Sequence, residues 1–321
     1  MPLEVMHSSE EWRMRLGNTR PRTAVTVGNF DGVHLGHQKI LRGVADRARE
    51  MRLMSAALTF YPHPARVLRP EQAPSLLATL PQRLAAFDAL GIEAAMVLQF
   101  DAALAKITAE DFVRRFLVEA MCARVVLVGA NFRFGHGGAG DVKLLTKIGK
   151  DRGFEVESVD PVLIGAMLVS STAIRQALQE GRVADARQML GRPFALAGAI
   201  QPGTGQGRKL VVPTLNLATF QETLPKKGVY ATEAAAGGKI YRAVTNVGLR
   251  PTFHGAKLTI ESHLFDFAET LTEGPLEVRF WERLRDEKKF AGPEELRAQV
   301  LNDIETAKKD FARTAGVPSP K

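Results

Sequence analysis

The sequence has a single cysteine and no long apolar run. One cysteine cannot form an internal disulfide, and Cys122 stands beside an apolar run, which favours a buried structural thiol over a nucleophile. No apolar stretch approaches the roughly 18 residues needed to cross a bilayer. The first twenty residues also lack the apolar segment of a signal peptide. We therefore expect a cytoplasmic protein without a membrane partner.

Positive charge is not concentrated anywhere in the chain. The formal net charge is +8, but no run of five or more positive residues occurs, so a nucleic-acid-binding tract is not visible. Scattered cations are equally compatible with small phosphorylated ligands. Nucleic acid is therefore not an expected partner, and the oligomeric state, including a homo-oligomer, stays open.

The length of 321 residues suggests two domains of ordinary size. The first half alternates short apolar runs, typical of buried parallel strands, with segments of helical periodicity. The predicted strands are 23–27, 56–60, 94–98 and 125–128, and the predicted helices are 38–51, 81–90 and 110–121. This rhythm predicts a doubly wound α/β domain whose ligands bind at the carboxyl ends of the strands.

The rhythm changes near residue 190. A predicted helix over 170–190 ends at Gly191. Short strand-like segments follow at 194–200, 229–233, 239–247, 257–265 and 276–280, and they predict a small antiparallel barrel or sandwich. The apolar face of a last helix is predicted to consist of Leu296, Val300, Leu301, Ile304 and Phe311. We place the domain boundary between 1–185 and 186–321.

A glycine-rich segment at 28–37 joins the first of these strands to its helix. Glycine lets the backbone approach a ligand closely, and a helix N-terminus favours phosphate. His34 and His37 are three residues apart, which places both near one side of the first helical turn. Two imidazoles there can stabilise charge on a polyphosphate. The alternatives are a capping loop with two incidental histidines, or a metal site that has no obvious third ligand.

A second helix start contains Ser171, Thr172 and Arg175. Ser171 or Thr172 could cap the helix, and Arg175 lies one turn past Ser171 on the same face. A cap beside a surface arginine is the alternative interpretation.

The C-terminal half has a glycine-rich loop with Gly203, Gly205 and Gly207, for which a plain β-turn is the alternative. Thr214 and Asn216 follow and, in an extended chain, share one face. A hydroxyl and an amide oxygen are ligands that suit Mg²⁺ bound to ATP phosphates, whereas a hydrogen-bonded strand end is the simpler interpretation.

The segment 259–267 has the alternation of a strand. Ile260, Ser262 and Leu264 share one face, and Glu261 lies on the other. A single carboxylate on an otherwise apolar strand can serve as a general base for a hydroxyl. A solvated glutamate on an outer face is the alternative.

Several motifs together resemble a known family. The histidine loop, the Ser-Ser-Thr helix start and the segments 60–64 and 128–135 are similar to the FAD synthetase module of prokaryotic bifunctional riboflavin kinase/FMN adenylyltransferases, which belongs to the nucleotidylyltransferase superfamily. The second half resembles the riboflavin kinase module at 213–216, 227–230, 246–252, 261–267 and 284–290. The resemblance implies phosphorylation of riboflavin to FMN by the second domain and adenylylation of FMN to FAD by the first, with ATP as co-substrate and Mg²⁺ as cofactor.

The resemblance also implies roles for individual residues. For adenylyl transfer these are His34 and His37 at the ATP phosphates, Arg175 at the leaving pyrophosphate, Gly28, Asn29, Phe30, Asp31, Ser171 and Thr172 at the nucleotide, and Asn131 and Phe132 at the flavin. For the kinase these are Glu261 at the ribityl hydroxyl, Thr214 and Asn216 at Mg²⁺ and ATP, Gly203, Gly205 and Gly207 at the nucleotide, and Arg285 near the flavin. Core packing is the alternative for Phe132.

The chain departs from the family pattern at three places. Gly138 stands where the family often has an arginine, Val211 and Val212 replace a Gly-Phe pair, and 271–274 replaces a Leu-Tyr-Gly segment. An enzyme with one working half, or a non-catalytic flavin- or nucleotide-binding regulator, are therefore the competing hypotheses. The retained histidines, Arg175 and Glu261 argue against the regulator.

Overall fold

The computed structural model describes residues 2–16, 21–201, 214–252, 255–267, 271–288 and 290–314, without the side chains of 250–252, 255–257 and 314. Contacts between Cα atoms divide the chain into two units, Met1–Val169 and Ser170–Lys321. Residues 170–185 thus group with the second unit. The predicted boundary at 185/186 between the two activities remains a prediction.

The first unit is built on a parallel sheet with the strand order β1-β4-β3-β2-β5-β6. Its strands are β1 (Glu4–Met6), β2 (Thr23–Val27), β3 (Met54–Tyr61), β4 (Ala94–Gln99), β5 (Ala123–Gly129) and β6 (Glu155–Val159), with a separate hairpin of β7 (Leu163–Ile164) and β8 (Met167–Leu168). The four predicted strands are confirmed as β2 to β5. The edge strands β1 and β6 escaped prediction because both are short and only partly buried.

Helices connect the strands of this sheet. They are α1 (Ser9–Leu16), α2 (Leu35–Met51), α3 (Pro64–Leu68), α4 (Leu80–Ala89), α5 (Ala109–Phe112) and α6 (Val142–Arg152), with short 3₁₀ turns between some of them. The helix predicted at 110–121 is α5 followed by a π-helical segment, Val113–Ala120. The helix predicted from residue 38 begins at Leu35, because His34 caps it.

Both faces of the sheet are covered, which confirms the predicted doubly wound architecture. Adjacent residues of β2 point to opposite faces, so Ala24 packs in one buried cluster and Val25 in the other. The cluster of Ala24 includes Leu41 of α2 and Phe87 of α4, whereas the cluster of Val25 includes Phe112. Cys122, expected to be buried, is half-buried and has a left-handed φ of 49°.

The second unit begins with two helices, α7 (Ser171–Glu180) and α8 (Val183–Leu190). The single helix predicted over 170–190 is therefore wrong. Gly181 has a φ of 82° and terminates α7 in the left-handed conformation, which a helix cannot continue. The signal was present in the sequence as a glycine in the middle of the predicted helix.

The remaining strands form a closed antiparallel barrel in the order β10-β13-β12-β11-β14-β9, which selects a barrel over a sandwich. They are β9 (Phe194–Gln201), β10 (Thr214–Ala218), β11 (Gly228–Ala236), β12 (Lys239–Thr252), β13 (Gly255–Leu264) and β14 (Pro275–Arg285). Large buried side chains such as Tyr230 and Phe280 fill the barrel. A chain of hydroxyl hydrogen bonds also crosses its interior, from Thr232 through Thr245 to Ser262.

The last helix, α9 (Pro293–Thr314), packs on the outer face of the barrel. Ile304 and Phe311, both on the predicted apolar face, belong to the same buried cluster as Val229 and Val244 of the barrel. Leu301 is an exception, because its side chain is 46% exposed. Across the described ranges, no helix combines the length and apolar character required to cross a membrane.

Candidate active sites

The loop that follows β2 turns sharply before α2 begins. Phe30 and Val33 have left-handed φ angles of 51° and 43°, which are rare for residues other than glycine. The Phe30 ring is buried and meets the rings of His37 and Phe87 edge to face at 5.2 and 5.3 Å. The side chain of Phe30 therefore packs within the protein, against the ring of His37. A Cβ on Gly28 would lie 3.0 Å from the Phe30 ring.

The two predicted histidines are in contact. Their rings stack with centroids 3.7 Å apart and an interplanar angle of 19°. His34 is the N-cap of α2, and its Nδ1 accepts a hydrogen bond from the backbone N–H of His37 at 3.4 Å. Because an accepting Nδ1 has no proton, neutral His34 has its proton on Nε2.

The environment of His37 favours the uncharged form of its imidazole. Burial, with a smaller contribution from the charge of His34, lowers the pKa of His37 well below its ordinary value. Its Nδ1 is buried without a hydrogen-bond partner. In the described part of the chain, no cluster of three or more His, Cys, Asp or Glu side chains could hold a metal ion. The pair is thus suited to donating hydrogen bonds to an anion.

Asp31 has its side chain turned away from the helix start. Its carboxylate is 3% exposed and accepts hydrogen bonds from the backbone N–H groups of Leu77 at 3.0 Å and Ala78 at 3.2 Å. Like Phe30, Asp31 can meet a nucleotide through its backbone.

Arg83 escaped the sequence analysis. It lies on α4, is 3% exposed, and donates from Nη1 to the Asn29 carbonyl at 2.7 Å and to Oγ1 of Thr59 at 3.3 Å. The sequence does contain a sign of its burial. Arg83 lies one helical turn before the buried Phe87, so it is on the face of α4 where an apolar side chain is expected.

The predicted flavin residues follow β5. Asn131 is exposed, and the ring of half-buried Phe132 stacks on that of buried Phe134 at 5.3 Å. Phe132 thus packs on the core with part of its surface open. Gly138 has a φ of 70°, and a Cβ there would meet only the Arg133 Cβ at 3.7 Å.

The cap of α7 differs from the prediction. Ser170, rather than Ser171 or Thr172, is the N-cap, since its Oγ accepts a hydrogen bond from the N–H of Ala173 at 3.2 Å. Ser171 and Thr172 are the first helical residues, and half-buried Arg175 lies one turn beyond Ser171. The role of Arg175 at pyrophosphate stays a prediction.

In the second unit, strand register brings the predicted kinase residues together. Asn216 of β10 is directly opposite Glu261 of β13, and Glu261 is directly opposite Asn246 of β12. Directly opposed residues project to the same face, here the outer one, and all three are half-buried. Glu261 therefore lies between two amides, and Asn246 is a neighbour of Glu261 that was not among the predicted site residues.

The neighbouring row of the same face contains Thr214, which is opposite His263. Burial lowers the pKa of His263 to about 4 against the opposing effect of the Asp303 charge. The Nδ1 atom of His263 is buried without a hydrogen-bond partner. The predicted nucleotide residues Gly203, Gly205 and Gly207, together with Val211 and Val212, lie outside the described residues.

Arg285 is held by a carboxylate of α9. Its Nε and Nη2 donate to the two carboxylate oxygens of Asp303 at 2.9 and 2.7 Å, and its Nη1 donates to the Asp286 carbonyl at 2.9 Å. Register connects Arg285 through Val229 and Asn246 to Glu261. Three inter-strand steps of about 4.8 Å separate Arg285 from Glu261 by roughly 14 Å.

The two units define a class of protein. A doubly wound unit with two stacked histidines at a glycine-rich strand-to-helix turn, followed by a barrel with a carboxylate between two amides, is typical of a two-module nucleotide-dependent transferase. Family models agree: that for FAD synthetase matches residues 17–173, and that for riboflavin kinase matches 190–311.

Relatives share this two-module order. Bifunctional riboflavin kinase/FMN adenylyltransferase of Escherichia coli K12 is 36% identical over 90% of this chain and 93% of its own. The protein of that description from Pseudomonas fluorescens is 37% identical over 94% and 97%. A crystal structure described as a macrolide-efflux protein from Streptococcus pneumoniae is similar, with a TM-score of 0.86 and 28% identity over 96% of this chain and 99% of that one.

The chain belongs to the bifunctional riboflavin kinase/FMN adenylyltransferase family. Its second domain phosphorylates riboflavin to FMN, and its first domain transfers the adenylyl group of ATP to FMN, giving FAD and pyrophosphate.

Proposed function

We propose that the stacked histidines catalyse adenylyl transfer without a covalent enzyme intermediate. An FMN phosphate oxygen attacks the α-phosphorus of ATP, and the bond to pyrophosphate breaks. His34 and His37 donate hydrogen bonds to the phosphates and stabilise the charge that grows on the leaving group. Their contact at the N-terminus of α2 is the strongest support, because the helix dipole favours anions there.

The other residues that the family resemblance implies bind the two substrates. Backbone groups of the loop that contains Gly28, Asn29, Phe30 and Asp31 approach the nucleotide, since the side chains of Phe30 and Asp31 are directed into the protein. Ser171 and Thr172 add contacts to the nucleotide, and Arg175 holds the pyrophosphate. Asn131 and the open part of Phe132 contact the flavin.

In the kinase, Glu261 acts as general base. Its carboxylate takes the proton of the ribityl hydroxyl, whose oxygen attacks the γ-phosphorus of ATP while the bond to ADP breaks. Register with Asn216 and Asn246 supports this role, because the flanking amides can orient the carboxylate and the substrate hydroxyl.

Thr214 and Asn216 would hold Mg²⁺ together with the ATP phosphates. The fit rests on their oxygen donors, which project from the same face of β10 and are the hard ligands that Mg²⁺ prefers. When bound, Mg²⁺ neutralises phosphate charge during transfer. Gly203, Gly205 and Gly207 complete the nucleotide site, and Arg285 lies near the flavin. Both reactions consume ATP, which favours a cytoplasmic location; a homo-oligomer remains a hypothesis.

Two matched variants test the two sites, and both reactions are measured with each purified variant. His37→Ala should reduce FAD formation from supplied FMN by about 10²–10³-fold, the usual cost of one such donor. Glu261→Gln should reduce FMN formation from riboflavin by about 10²–10⁴-fold, since it removes the proton acceptor and keeps the shape. Products are separated by chromatography after incubation with ATP and Mg²⁺.

Each variant is the control for the other, because each should retain the reaction of the unchanged domain. Normal FAD output from His37→Ala would contradict the histidine mechanism. Normal FMN output from Glu261→Gln would make Glu261 a solvated surface residue. Loss of both reactions in one variant would indicate a folding defect.

A further inference from the structure

Arg83 is a buried cation that contacts the loop between β2 and α2, which is proposed to bind the nucleotide. Its Nη1 is 2.7 Å from the carbonyl oxygen of Asn29, just beyond β2. Nη1 also bonds Oγ1 of Thr59 at 3.3 Å, and Nη2 lies 3.4 Å from the Phe60 carbonyl, both on β3. One guanidinium thus connects the carboxyl ends of two adjacent parallel strands at the edge where ligands of such sheets bind.

The bond to Asn29 controls the direction of a peptide group. In a trans peptide the C=O and the following N–H point in opposite directions. Because the Asn29 carbonyl is directed at Arg83, the N–H of Phe30 is directed away from Arg83. Rotation of this peptide would turn a partial negative charge toward the side from which phosphates approach.

The loop needs support because its backbone is unfavourable. Phe30 and Val33 both have left-handed φ angles, and a branched side chain makes this conformation especially rare. Such residues persist where the surroundings hold them. Arg83 binds the loop at Asn29, and the Asp31 carboxylate binds it to the N–H groups of Leu77 and Ala78.

Arg83 and Asp31, the two side chains that hold the loop, have opposite charges. Burial lowers the pKa of Arg83, and the negative charge of Asp31 opposes this effect. The Nε atom of Arg83 is buried without a hydrogen-bond partner, so its neighbours do not satisfy every donor. A buried charge with an unsatisfied donor is costly to fold, which favours a role beyond stability.

We infer that Arg83 is a positioning residue for adenylyl transfer, acting through the Asn29 carbonyl on the loop that receives the ATP phosphates. This inference rests on the proposed role of that loop. Arg83 is too buried to contact the substrate, so its effect is on the shape of the loop and on the adjoining His34 and His37.

The test compares Arg83→Met, Arg83→Lys and the control Arg49→Met. Arg49 is an arginine near the end of α2 with 76% of its side chain exposed. FAD formation from FMN is measured against ATP concentration, and FMN formation from riboflavin is measured in the same samples. We expect Arg83→Met to lower kcat/KM for ATP by up to about 100-fold, largely through a higher KM, because displacing a site by about 1 Å has that cost.

Arg83→Lys should recover part of this loss, since an ammonium group can bond to the Asn29 carbonyl but cannot also hold β3 in a fork. Arg49→Met should equal the parent, and FMN formation should be unchanged in all variants. If Arg83→Met does not fold, the inference is tested by Arg83→Lys alone. A higher KM for ATP in Arg83→Lys supports it, and an unchanged KM contradicts it.

A purely structural role would lower the folded fraction and hence the apparent kcat at an unchanged KM for ATP, and that result would overturn the inference. Parent-like kinetics of both Arg83 variants would do so as well. The His37→Ala variant distinguishes failure of the Arg83 inference from failure of the proposed histidine mechanism. If it abolishes FAD formation while the Arg83 variants are normal, only the inference fails; if it is also normal, the proposed function fails.

Discussion

The ion pair between Arg285 and Asp303 should stabilise the barrel unit measurably. The substitution Asp303→Asn preserves the shape of the side chain and removes its charge. It breaks the two-point contact at 2.9 and 2.7 Å, in which the Asp303 side chain is 5% exposed and that of Arg285 is 23% exposed. The Asn oxygen can still accept the bond from Gln299 Nε2, which is 2.9 Å from Oδ1.

The size of the effect follows from this burial. Removing one partner of a fully buried pair costs about 3–5 kcal/mol. Partial exposure of Arg285 and the retained Gln299 bond reduce this to about 2–3 kcal/mol. With a urea slope of about 1–3 kcal/mol per M, the unfolding midpoint should fall by roughly 1 M.

The chain provides its own probe for this measurement. It has two tryptophans, of which Trp12 is in the first unit and Trp281 is in β14, edge to face with Phe311 of α9 at 6.1 Å. In a Trp12→Phe background, fluorescence during urea unfolding therefore reports on the barrel unit alone.

Glu305→Gln is the matched control on the same helix. Glu305 pairs with Lys308 at 3.3 Å, but the two side chains are 63% and 52% exposed, so the pair should contribute no more than about 1 kcal/mol. Equal midpoints for Asp303→Asn and Glu305→Gln would refute the assigned strength of the Arg285 contact. Because Arg285 is proposed to lie near the flavin, Asp303→Asn should also raise the KM for riboflavin without changing FAD formation from FMN.

Two further predictions concern the domain boundary and pH. A fragment of residues 186–321 should form FMN, because it contains the whole barrel and α9; a folded but inert fragment beside an active 170–321 fragment would move the functional boundary to the contact division at 169/170. The lowered pKa of His37 means that the folded first unit disfavours its protonation. The resulting stability is fully present above the ordinary pKa of about 6.5 and is lost as the pH falls below it. Urea unfolding followed by Trp12 in a Trp281→Phe background should give a lower free energy of unfolding at pH 5.5 than at pH 7.5. His37→Asn should weaken this dependence, and a dependence of the opposite sign would contradict the burial of His37.

Local patterns predicted much of the fold. Runs such as 94–98 correctly predict strands, because full burial on both faces favours uninterrupted apolar residues. The prediction of one helix over 170–190 is wrong because Gly181 ends α7 in the left-handed conformation, which helical periodicity alone does not reveal. The cap at Ser170 was missed by one residue, since adjacent serines have similar capping preference and the local backbone decides between them.

Local sequence patterns are enough to predict the two-module order, to place His34 and His37 near one side of the same helix start, and to place Glu261 on the strand face opposite Ile260. These follow from periods of a few residues, which the chain carries locally. That Asn246 flanks Glu261 depends on the folded barrel, since strand register arises from pairing between distant segments. The contact of Arg83 with Asn29 spans 54 residues, so no local period encodes it. It exists because the parallel sheet brings the end of β2 beside α4, where a buried guanidinium finds carbonyl oxygens to bind.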